Sequence, residues 1–308
     1  MQFDVLVVGD ANPDLVLRGD VRPRFGQEEQ LLDGADLVLG GSAAITAAGC
    51  ARLGLRTGLL AAVGADVFGA FVRERLAERG VELIVPAADD GSVPTGLSVI
   101  LSAPGDRAIL TLPGTIPALR PADVTDELLA AARHVHVASL FLQPGLQAGL
   151  AGVFARARRL GRGTSLDTNW DPTGRWELGE VLAGTDVFLP NAAELFAVTG
   201  TDPAAGVEAA AARLTAAGTT VVLKDGARGG RAWWPGGGSA AAPAVAVDVV
   251  DTTGAGDSFN AGFLAARLAG KELPEALAWA AVAGSLSARA AGGTAAQATI
   301  DEVIPSAR

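Results

Sequence analysis

Two glycines and an aspartate stand close together near the C-terminal end of the sequence, in the stretch DTTGAGDSF at 251–259. The apolar run AVDVVD before it predicts a strand, and the pattern after it predicts an amphipathic helix that begins near Asp257. The first amides of a helix lack partners inside the helix, and the helix dipole makes that end positive. Gly254, Ala255 and Gly256 would therefore present bare N–H groups to an anion such as a phosphate.

A carboxylate beside a bound anion needs a role of its own. Asp257 could accept a proton from a hydroxyl group while the amides stabilise a phosphoryl group in transit. The structural alternative is a glycine-rich helix start that Asp257 caps. The stretch is neither a G-x-x-x-x-G-K-[ST] phosphate loop nor a dinucleotide motif, because Phe259 stands where the latter needs its third glycine.

Length and composition limit the kinds of protein to which these residues can belong. The 308 residues, 49% of them hydrophobic, suit one α/β enzyme domain with an appendage. A formal net charge of −10 disfavours a nucleic-acid partner. The apolar runs are too short to span a bilayer, and the N-terminus lacks the features of a signal peptide. The single cysteine, Cys50, leaves no internal disulfide, so we expect a cytoplasmic protein with no membrane partner.

Short β-branched runs alternate with Ala-, Leu- and Arg-rich segments of helical length along most of the chain. This alternation predicts an α/β fold with parallel strands, right-handed crossovers and helices on both faces of the sheet. The predicted strands are 4–10, 57–64, 134–140, 163–167, 186–191 and 220–226. The predicted helices are 43–54, 67–80, 145–161, 192–200 and 206–218.

Two regions, 14–41 and 95–114, interrupt the alternation because they are strand-like without helices between them. APGDRA at 103–108 has the composition of a hairpin turn. Together the two regions predict a small antiparallel sheet that projects from the α/β body. This sheet could be a lid over a site or a plain extension of the sheet edge. The Gly-rich segment 233–243 predicts a surface hairpin loop.

Several motifs resemble those of the ribokinase-like carbohydrate kinases, the phosphofructokinase B family. DTTGAGDSFNAGFL is similar to the C-terminal signature of that family, and GGSAAITAAGCARLG at 40–54 is similar to its N-terminal glycine signature. GDANPDLVL, LDTNWDP, LPNAAELFAVTG and VLKDGARGG resemble further family segments in the same order. The resemblance implies one domain, 1–308, built as a three-layer α/β/α sandwich. Its mainly parallel sheet would carry a small antiparallel lid formed by about 14–41 and 95–114.

This resemblance implies an ATP-dependent kinase that phosphorylates a hydroxyl group of a monosaccharide or sugar derivative. Asp257 would be the general base, and the amides of 254–256 would be the anion hole for the γ-phosphoryl group. The alternative is a nucleoside kinase of the same family, because Ile45 and Phe25 could contact a base. A sugar-binding protein without activity is disfavoured by the intact Asp257 and glycine loop.

Other residues match binding positions of the family. The residues implied to bind substrate are Asn12, Asp14, Gly40, Gly41, Ser42, Gln143 and Asn169. The residues implied to bind nucleotide are Asn191, Lys224, Gly226, Gly229 and Gly256. Asn191 and Glu194 would hold Mg²⁺ through water, although their spacing also fits a capping Asn191 with a solvated Glu194. Asp251 matches a position that helps to bind a monovalent cation, which makes K⁺ activation an expectation.

The sequence departs from the family pattern at two positions near the sugar. Ile45 stands where the family usually has an asparagine, and Gln143 is the nearest polar side chain where many members offer a carboxylate. Trp170 and Trp176 could line the pocket or pack within a loop. The resemblance also implies a homodimer formed through the lid, because exposed sheet edges often pair with another subunit.

Overall fold

Within the residues that the computed structural model describes, 1–86, 92–103 and 106–307, the strands form one sheet of nine strands and one of four. The strands are β1 Phe3–Val8, β2 Asn12–Gly19, β3 Leu32–Gly40, β4 Thr57–Leu60, β5 Val81–Ile84, β6 Leu97–Ala103, β7 Asp106–Leu112, β8 Ala132–Val137, β9 Gly163–Leu166, β10 Val187–Phe188, β11 Thr220–Lys224, β12 Gly230–Trp234 and β13 Gly238–Ala242. The helices are α1 Ser42–Arg52, α2 Val67–Glu78, α3 Asp126–Ala131, α4 Pro144–Gln147, α5 Leu150–Arg159, α6 Ala192–Thr199, α7 Gly206–Thr215, α8 Ala255–Leu268, α9 Leu273–Ser287 and α10 Ile300–Ser306.

The large sheet has the strand order β13-β12-β11-β10-β9-β8-β1-β4-β5. Every neighbouring pair from β11 to β5 is parallel, and β12 and β13 add an antiparallel hairpin at one edge. The predicted parallel sheet is therefore confirmed, as is the hairpin predicted at 233–243. Along the chain, α-helices lie between most of the successive parallel strands.

Successive residues of β1 face opposite sides of the large sheet. Val5 and Val7 belong to a buried cluster that includes residues of α1, α8 and α9. Leu6 and Val8 belong to a second cluster that includes residues of α3 and α5. All four side chains are fully buried, which explains why this strand reads as a continuous apolar run instead of an alternating one. Helices thus cover both faces, and the predicted three-layer sandwich is confirmed.

The small sheet has the order β3-β2-β6-β7 and contains the segments predicted as a lid. β2 pairs antiparallel with β3, and β6 pairs antiparallel with β7. The predicted antiparallel sheet thus has two antiparallel pairs, while its central pair β2–β6 is parallel. The predicted turn at 103–108 includes Pro104 and Gly105, which lie outside the described residues.

The observed elements differ from the predicted ones at one strand, at one helix and at the ends of several other strands. The run AVDVVD is not a strand, because the amides of Val250 and Asp251 donate to the carbonyl of Ala288, just after α9, instead of to a neighbouring strand. The helix predicted at 145–161 is split into α4 and α5 at Gly149, whose backbone is not helical. Several predicted strands end two to four residues early, since the chain there turns into loops at the carboxyl edge of the sheet. Within the described residues, no helix is both long enough and apolar enough to cross a membrane.

Candidate active site

The glycine stretch forms the N-terminus of α8, as predicted. Gly254 is the N-cap residue, with a left-handed backbone (φ 70°). A Cβ there would lie 2.7 Å from the Cα of Gly293, so both conformation and space require glycine. The amide of Ala255 donates to the carbonyl of Thr252 (3.2 Å), which occupies one of the three predicted N–H groups. Among the described residues, no backbone carbonyl accepts from the amides of Gly254 and Gly256, so those two are the N–H groups left for an anion.

Asp257 lies in the first turn of α8 and is half-buried. The hydroxyl of Ser42, the first residue of α1, donates to its Oδ1. Burial raises the pKa of Asp257 to about 7, and the nearby charge of Asp167 adds to this effect. A carboxyl group with a pKa near neutrality is suited to take up and release a proton. Ser42, implied to bind substrate, thus makes its hydrogen bond in this structure to the candidate base.

A buried ionic network lies beside Asp257. Lys224, at the end of β11, pairs through Nζ with Asp167 Oδ2, which also accepts from Nδ2 of Asn260 (2.6 Å). Burial alone would lower the pKa of Lys224, but the carboxylates of Asp167 and Glu194 outweigh it and raise that pKa. The lysine stem lies against Gly256, where a Cβ would approach its Cδ to 3.3 Å. The sequence analysis missed Asp167 and Asn260, although both lie within the family motifs LDTNWDP and DSFNAGF.

The residues implied to bind sugar meet where the small sheet joins the body. Asn12 Nδ2 donates to Asp14 Oδ1 (3.0 Å), and both side chains are buried. A Cβ on Gly40 would lie 2.1 Å from Asp14 Oδ1, which explains the glycine. Burial raises the pKa of Asp14 to about 7, and repulsion by Asp10 contributes. Asp10, which the sequence analysis missed, accepts from the amide of Ala43 at the start of α1 (2.9 Å).

Asn169 is linked to these residues through Ser139. Its Nδ2 donates to Ser139 Oγ (3.0 Å), and Ser139 also hydrogen-bonds Asp10. Both Asn169 and Ser139 have a positive φ (53° each), an uncommon conformation outside glycine that is often found at functional sites.

Gln143 lies beside Ser139. Its side chain is fully buried, and its Nε2 donates to the carbonyls of Ala138 (2.9 Å) and Ser139 (3.2 Å). Among the described residues its Oε1 has no hydrogen-bond partner. The Nε2 contacts support the backbone of Ser139, and the expectation that Gln143 binds substrate stays a prediction.

Other predicted contacts also differ. Ile45 is buried against the glycine loop, where its Cδ1 would lie 2.5 Å from a Cβ on Gly293. Phe25, the other residue on which the nucleoside alternative depends, is 97% exposed. Trp170 and Trp176 stack edge to face with ring centroids 5.2 Å apart, and Trp176 also contacts Phe141 (5.5 Å), which favours packing within a loop.

Asn191 and Glu194 form a capping box at the start of α6. Asn191 Oδ1 accepts from the amide of Glu194 (2.9 Å), while the carboxylate of Glu194 accepts from the amide (2.8 Å) and Nδ2 (2.7 Å) of Asn191. Asn191 therefore caps, but Glu194 is buried instead of solvated. Burial raises the pKa of Glu194, and Lys224 opposes this effect. Among the described residues, no three His, Cys, Asp or Glu side chains are arranged to hold a metal ion by themselves.

Asp251 braces the glycine loop. Its Oδ1 accepts from the amide (2.9 Å) and hydroxyl (2.8 Å) of Thr253, and its Oδ2 accepts from the amide of Gly292 (2.9 Å). Arg107, on β7 of the small sheet, donates from Nη1 to Thr253 Oγ1 (2.8 Å) and lies 3.9 Å from Asp251 Oδ1. The small sheet thus touches the body at the residue before Gly254, and the sequence analysis did not find this contact.

A cavity of about 450 Å³ opens beside the glycine loop. It brings together four residues that were implied to bind nucleotide, Lys224, Gly226, Gly229 and Gly256. Most of the other lining residues are small or apolar, among them Val245, Val247, Phe259 and Ala281. An apolar cleft that leads to free amides and a lysine can take a flat ring at one end and phosphates at the other.

Comparisons with known proteins agree with this geometry. The model of the pfkB family carbohydrate kinases matches residues 2–300. The chain is 30% identical over 287 residues to an ATP-dependent ribose-1-phosphate kinase of Halopiger xanaduensis, an alignment that covers 92% of this chain and 91% of that protein.

Solved structures share the fold over nearly the whole chain. Arabidopsis thaliana ribokinase complexed with ribose and ATP has a TM-score of 0.83 and 26% identity, with 100% of this chain and 99% of that chain covered. An E. coli protein described as ribokinase II, in complex with ATP and Mg²⁺, has a TM-score of 0.85, with 97% of each chain covered, and at 23% identity it shows the fold alone. The chain therefore belongs to the pfkB family of carbohydrate kinases and is a phosphotransferase of that family.

Proposed function

We propose that the protein transfers the γ-phosphoryl group of ATP to a hydroxyl group of a monosaccharide or sugar derivative. The observation that carries this proposal is the position of Asp257, next to the free amides of the glycine loop and hydrogen-bonded to Ser42. The residues before Ser42 contact the sugar side, because Gly40 lies against Asp14 and Gly41 against the carbonyl of Asp10. The candidate base thus adjoins both the phosphate site and the acceptor site.

In the proposed step Asp257 takes the proton of the acceptor hydroxyl, whose oxygen forms a bond to the γ-phosphorus. The bond from that phosphorus to the oxygen shared with the β-phosphate breaks, and its electron pair stays on ADP. The amides of Gly254 and Gly256 stabilise the charge on the moving group. Asp257 acts as base in its deprotonated form, which a pKa of about 7 makes available at neutral pH.

The donor would occupy the cavity beside the glycine loop, with its base against the apolar wall and its phosphates near Lys224 and Gly256. Mg²⁺ would accompany the phosphates and neutralise part of their charge, and it usually keeps several of its waters. Glu194 and Asn191 hydrogen-bond each other, so they would reach the ion through water. ATP as donor and the buried thiol of Cys50 both suit a cytoplasmic location.

The acceptor would be a polyol. Asp14 and Asn12 offer adjacent oxygen and amide groups, and Asn169 is linked to the neighbouring Asp10 through Ser139. A carboxylate accepts hydrogen bonds from two neighbouring hydroxyls, which fits a sugar. One relative is named a ribose-1-phosphate kinase, and one solved structure is a ribokinase complexed with ribose. Pentoses and pentose phosphates are therefore the first acceptors to test.

The direct test is a screen of ADP release over neutral sugars, sugar phosphates and nucleosides. We expect turnover with a sugar or sugar derivative, and an Asp257→Asn variant should lose at least about 100-fold in kcat while its sugar affinity stays within a few-fold. Thermal shift supplies a second readout, because a ligand at 100 times its Kd adds about 2.7 kcal/mol of stability. Stabilisation and turnover with nucleosides alone would overturn the proposal in favour of the nucleoside kinase. Full activity of the Asp257→Asn variant would remove Asp257 from the mechanism.

The proposal includes a homodimer formed through the small sheet. On the face opposite Asp14, the register aligns an apolar row of Leu37, Leu15, Val99 and Leu110 across all four strands. Leu110 is 59% exposed, and its neighbour on the same face, Leu112, is 54% exposed. A contiguous apolar face of this kind on a sheet favours association with a second copy.

We also propose that a monovalent cation bound near Asp251 supports the glycine loop. The carboxylate of Asp251 already joins that loop to Gly292, so a cation beside it would stiffen the same connection. Activity in KCl above that in choline chloride at equal ionic strength would support this role, and equal activity would argue against it.

A further inference from the structure

A second cavity, of about 490 Å³, lies where the ends of α1 and α2 meet the loop between α9 and α10. Among the described residues, it shares no lining residue with the cavity beside the glycine loop. Its polar lining residues are Arg52, Glu78, Arg79, Thr294 and Gln297. Its volume lies in the range of sites for small molecules, and no step of the proposed reaction uses it.

The charge in this cavity is mostly positive. Arg52, the last residue of α1, is exposed, and among the described residues its side chain has no hydrogen-bond or ion-pair partner. Arg79 is half-buried, and its Nη1 lies 4.0 Å from Oε2 of Glu78. That same oxygen lies 2.9 Å from Nη1 of Arg75, so Glu78 is already paired. Burial lowers the pKa of Arg79, as expected for a cation whose charge is only partly balanced.

Arg79 is nevertheless held in place at the cavity wall. Its Nη2 donates to Oγ1 of Thr294 (2.9 Å), and its Nη1 donates to the carbonyl of Arg75 (3.0 Å). A guanidinium has five N–H groups, so donors remain for a ligand after these two contacts. The arginine is therefore positioned in advance for an anion.

Arginines near the C-termini of helices also balance the helix dipole, so Arg52 and Arg79 alone would not identify a ligand site. Gln297 supplies a separate observation, because this polar side chain is only 6% exposed. Its Nε2 donates to the carbonyl of Ile45 (2.9 Å) and to Oγ of Ser258 (3.3 Å). Among the described residues, its Oε1 accepts no hydrogen bond.

The free oxygen of Gln297 is the polar atom that this side chain offers to the cavity, since Nε2 faces α1 and α8. A buried acceptor is normally paired, and leaving it without a donor costs free energy. The cavity thus presents positive charge from two arginines together with one neutral acceptor that needs a donor. A simple inorganic anion such as sulfate would satisfy the arginines and leave the acceptor unpaired.

We propose that this cavity binds a small dianion that carries a hydroxyl group, at a site separate from the active site. The two guanidinium groups match the charge and the planar oxygen geometry of phosphate and carboxylate groups. The hydroxyl of the ligand donates to Oε1 of Gln297. Sugar phosphates and hydroxydicarboxylates share this chemistry. The bound dianion would join α1, α2 and the loop before α10, so it should also raise the melting temperature.

The test is calorimetry at constant ionic strength with two matched pairs of probes, L-malate with succinate and glycerol 3-phosphate with propyl phosphate. Each pair differs in its hydroxyl groups. We expect at least one hydroxylated probe to bind with a Kd of about 1 mM or below, and its partner to bind about 5-fold more weakly. The pair that contains the tighter probe shows whether the ligand is a phosphate ester or a dicarboxylate.

Three variants locate the binding site. Arg52→Gln should weaken both members of the tighter pair by about 10-fold or more, because it removes a charged partner. Gln297→Met should abolish the preference for the hydroxylated member while the partner without hydroxyl groups binds as before. Arg159→Gln is the control, since Arg159 is likewise the exposed last residue of a helix, α5, and should leave both affinities unchanged. Far-UV circular dichroism and melting temperature show that each variant is folded.

Four results would overturn the proposal. Binding weaker than about 10 mM for all four probes would leave the arginines with the helix dipoles alone. Equal losses in Arg52→Gln and Arg159→Gln would show unspecific attraction by charge. Equal affinities within both probe pairs would remove the role of Gln297. Competitive displacement of the probe by a non-hydrolysable ATP analogue with Mg²⁺ would place the dianion in the active site. None of these measurements needs turnover, so they do not depend on the proposed phosphoryl transfer.

Discussion

At the scale of single residues, the ionisation of Asp257 depends on neighbours with opposite effects. Burial and the charge of Asp167 raise its pKa, whereas the hydroxyl of Ser42 and the charge of Lys224 lower it. A general base is active when deprotonated, so we expect kcat/KM to rise with pH through about 7 and to level off above it.

Two substitutions should move this pH dependence in opposite directions. Ser42→Ala removes a hydrogen bond that stabilises the carboxylate, so the midpoint of the acid limb should move to higher pH. Asp167→Asn removes a repelling charge and releases Lys224, so the midpoint should move to lower pH. The measurement is kcat/KM from pH 5 to 9. Midpoints that stay unchanged in both variants would show that a group other than Asp257 titrates.

Asp14 makes a prediction about stability. Its pKa of about 7 lies above the value near 3.9 expected in the unfolded chain. The folded state thus binds more protons between these values, so the stability associated with Asp14 is complete below about pH 4 and is lost as pH rises through 7.

Asp14→Asn should accordingly be more stable than wild type at pH 8, by at most about 4 kcal/mol for a shift of three pK units, and the gain should shrink toward pH 5. Melting temperature at the two pH values measures it. Asp36→Asn, a change at an exposed carboxylate on the same sheet, is the control. A gain for Asp14→Asn that is the same at both pH values would contradict the assignment of the effect to ionisation.

At the scale of elements, the start of α8 needs a glycine both for its left-handed backbone and for the close approach of Gly293. A second glycine just after the end of α8 has the same backbone conformation without a close neighbour, so it allows the two effects to be measured separately. Gly254 (φ 70°) and Gly270 (φ 80°) flank α8, and both have left-handed backbones. A Cβ at Gly254 would meet Gly293 at 2.7 Å, whereas a Cβ at Gly270 would meet nothing within 4 Å.

Gly270→Ala should therefore cost about 1–2 kcal/mol from the backbone alone, with activity unchanged. Gly254→Ala adds the clash with Gly293, so it should cost more stability. It should also lower kcat, because the clash would displace the amides that we propose to receive the phosphoryl group. Chemical denaturation and steady-state kinetics on both variants measure these effects. Equal stability losses and equal activity in the two variants would show that the contact with Gly293 does not position the loop.

At the scale of the whole molecule, the two faces of the small sheet have different tasks. The inner face carries Asp14 and Arg107 toward the body, and the outer face carries the apolar row that ends at Leu110. Adjacent residues of β7 alternate between these faces, so Ile109 points inward and Leu110 outward.

Leu110→Glu should consequently shift the protein from dimer to monomer, while Ile109→Glu should leave the oligomeric state unchanged. Both side chains are about half exposed in the single chain, which makes them a matched pair. Light scattering coupled to size exclusion decides between the outcomes at several protein concentrations. A wild type that is monomeric throughout, or two variants that dissociate equally, would count against association through the outer face.

The alternating α/β pattern, the projecting second sheet and the glycine loop with Asp257 were all evident from the sequence. The periodicity of apolar residues indicates which side of a segment is buried, and a short motif indicates a local backbone conformation. Both depend only on residues close together in the sequence, so both can be predicted from it. The strand predicted before the glycine loop failed because Val249 and Val250 have strand-like composition but stay exposed beside α9.

Only the tertiary structure decided which distant residues meet. Ser42 and Asp257 are 215 positions apart, Arg107 and Thr253 are 146 apart, and Lys224 and Asp167 are 57 apart. These contacts depend on the order of the strands and on the register of the small sheet, which no single segment encodes. The same reason applies to Gln143, because only the fold shows that its Nε2 donates to the carbonyls of Ala138 and Ser139.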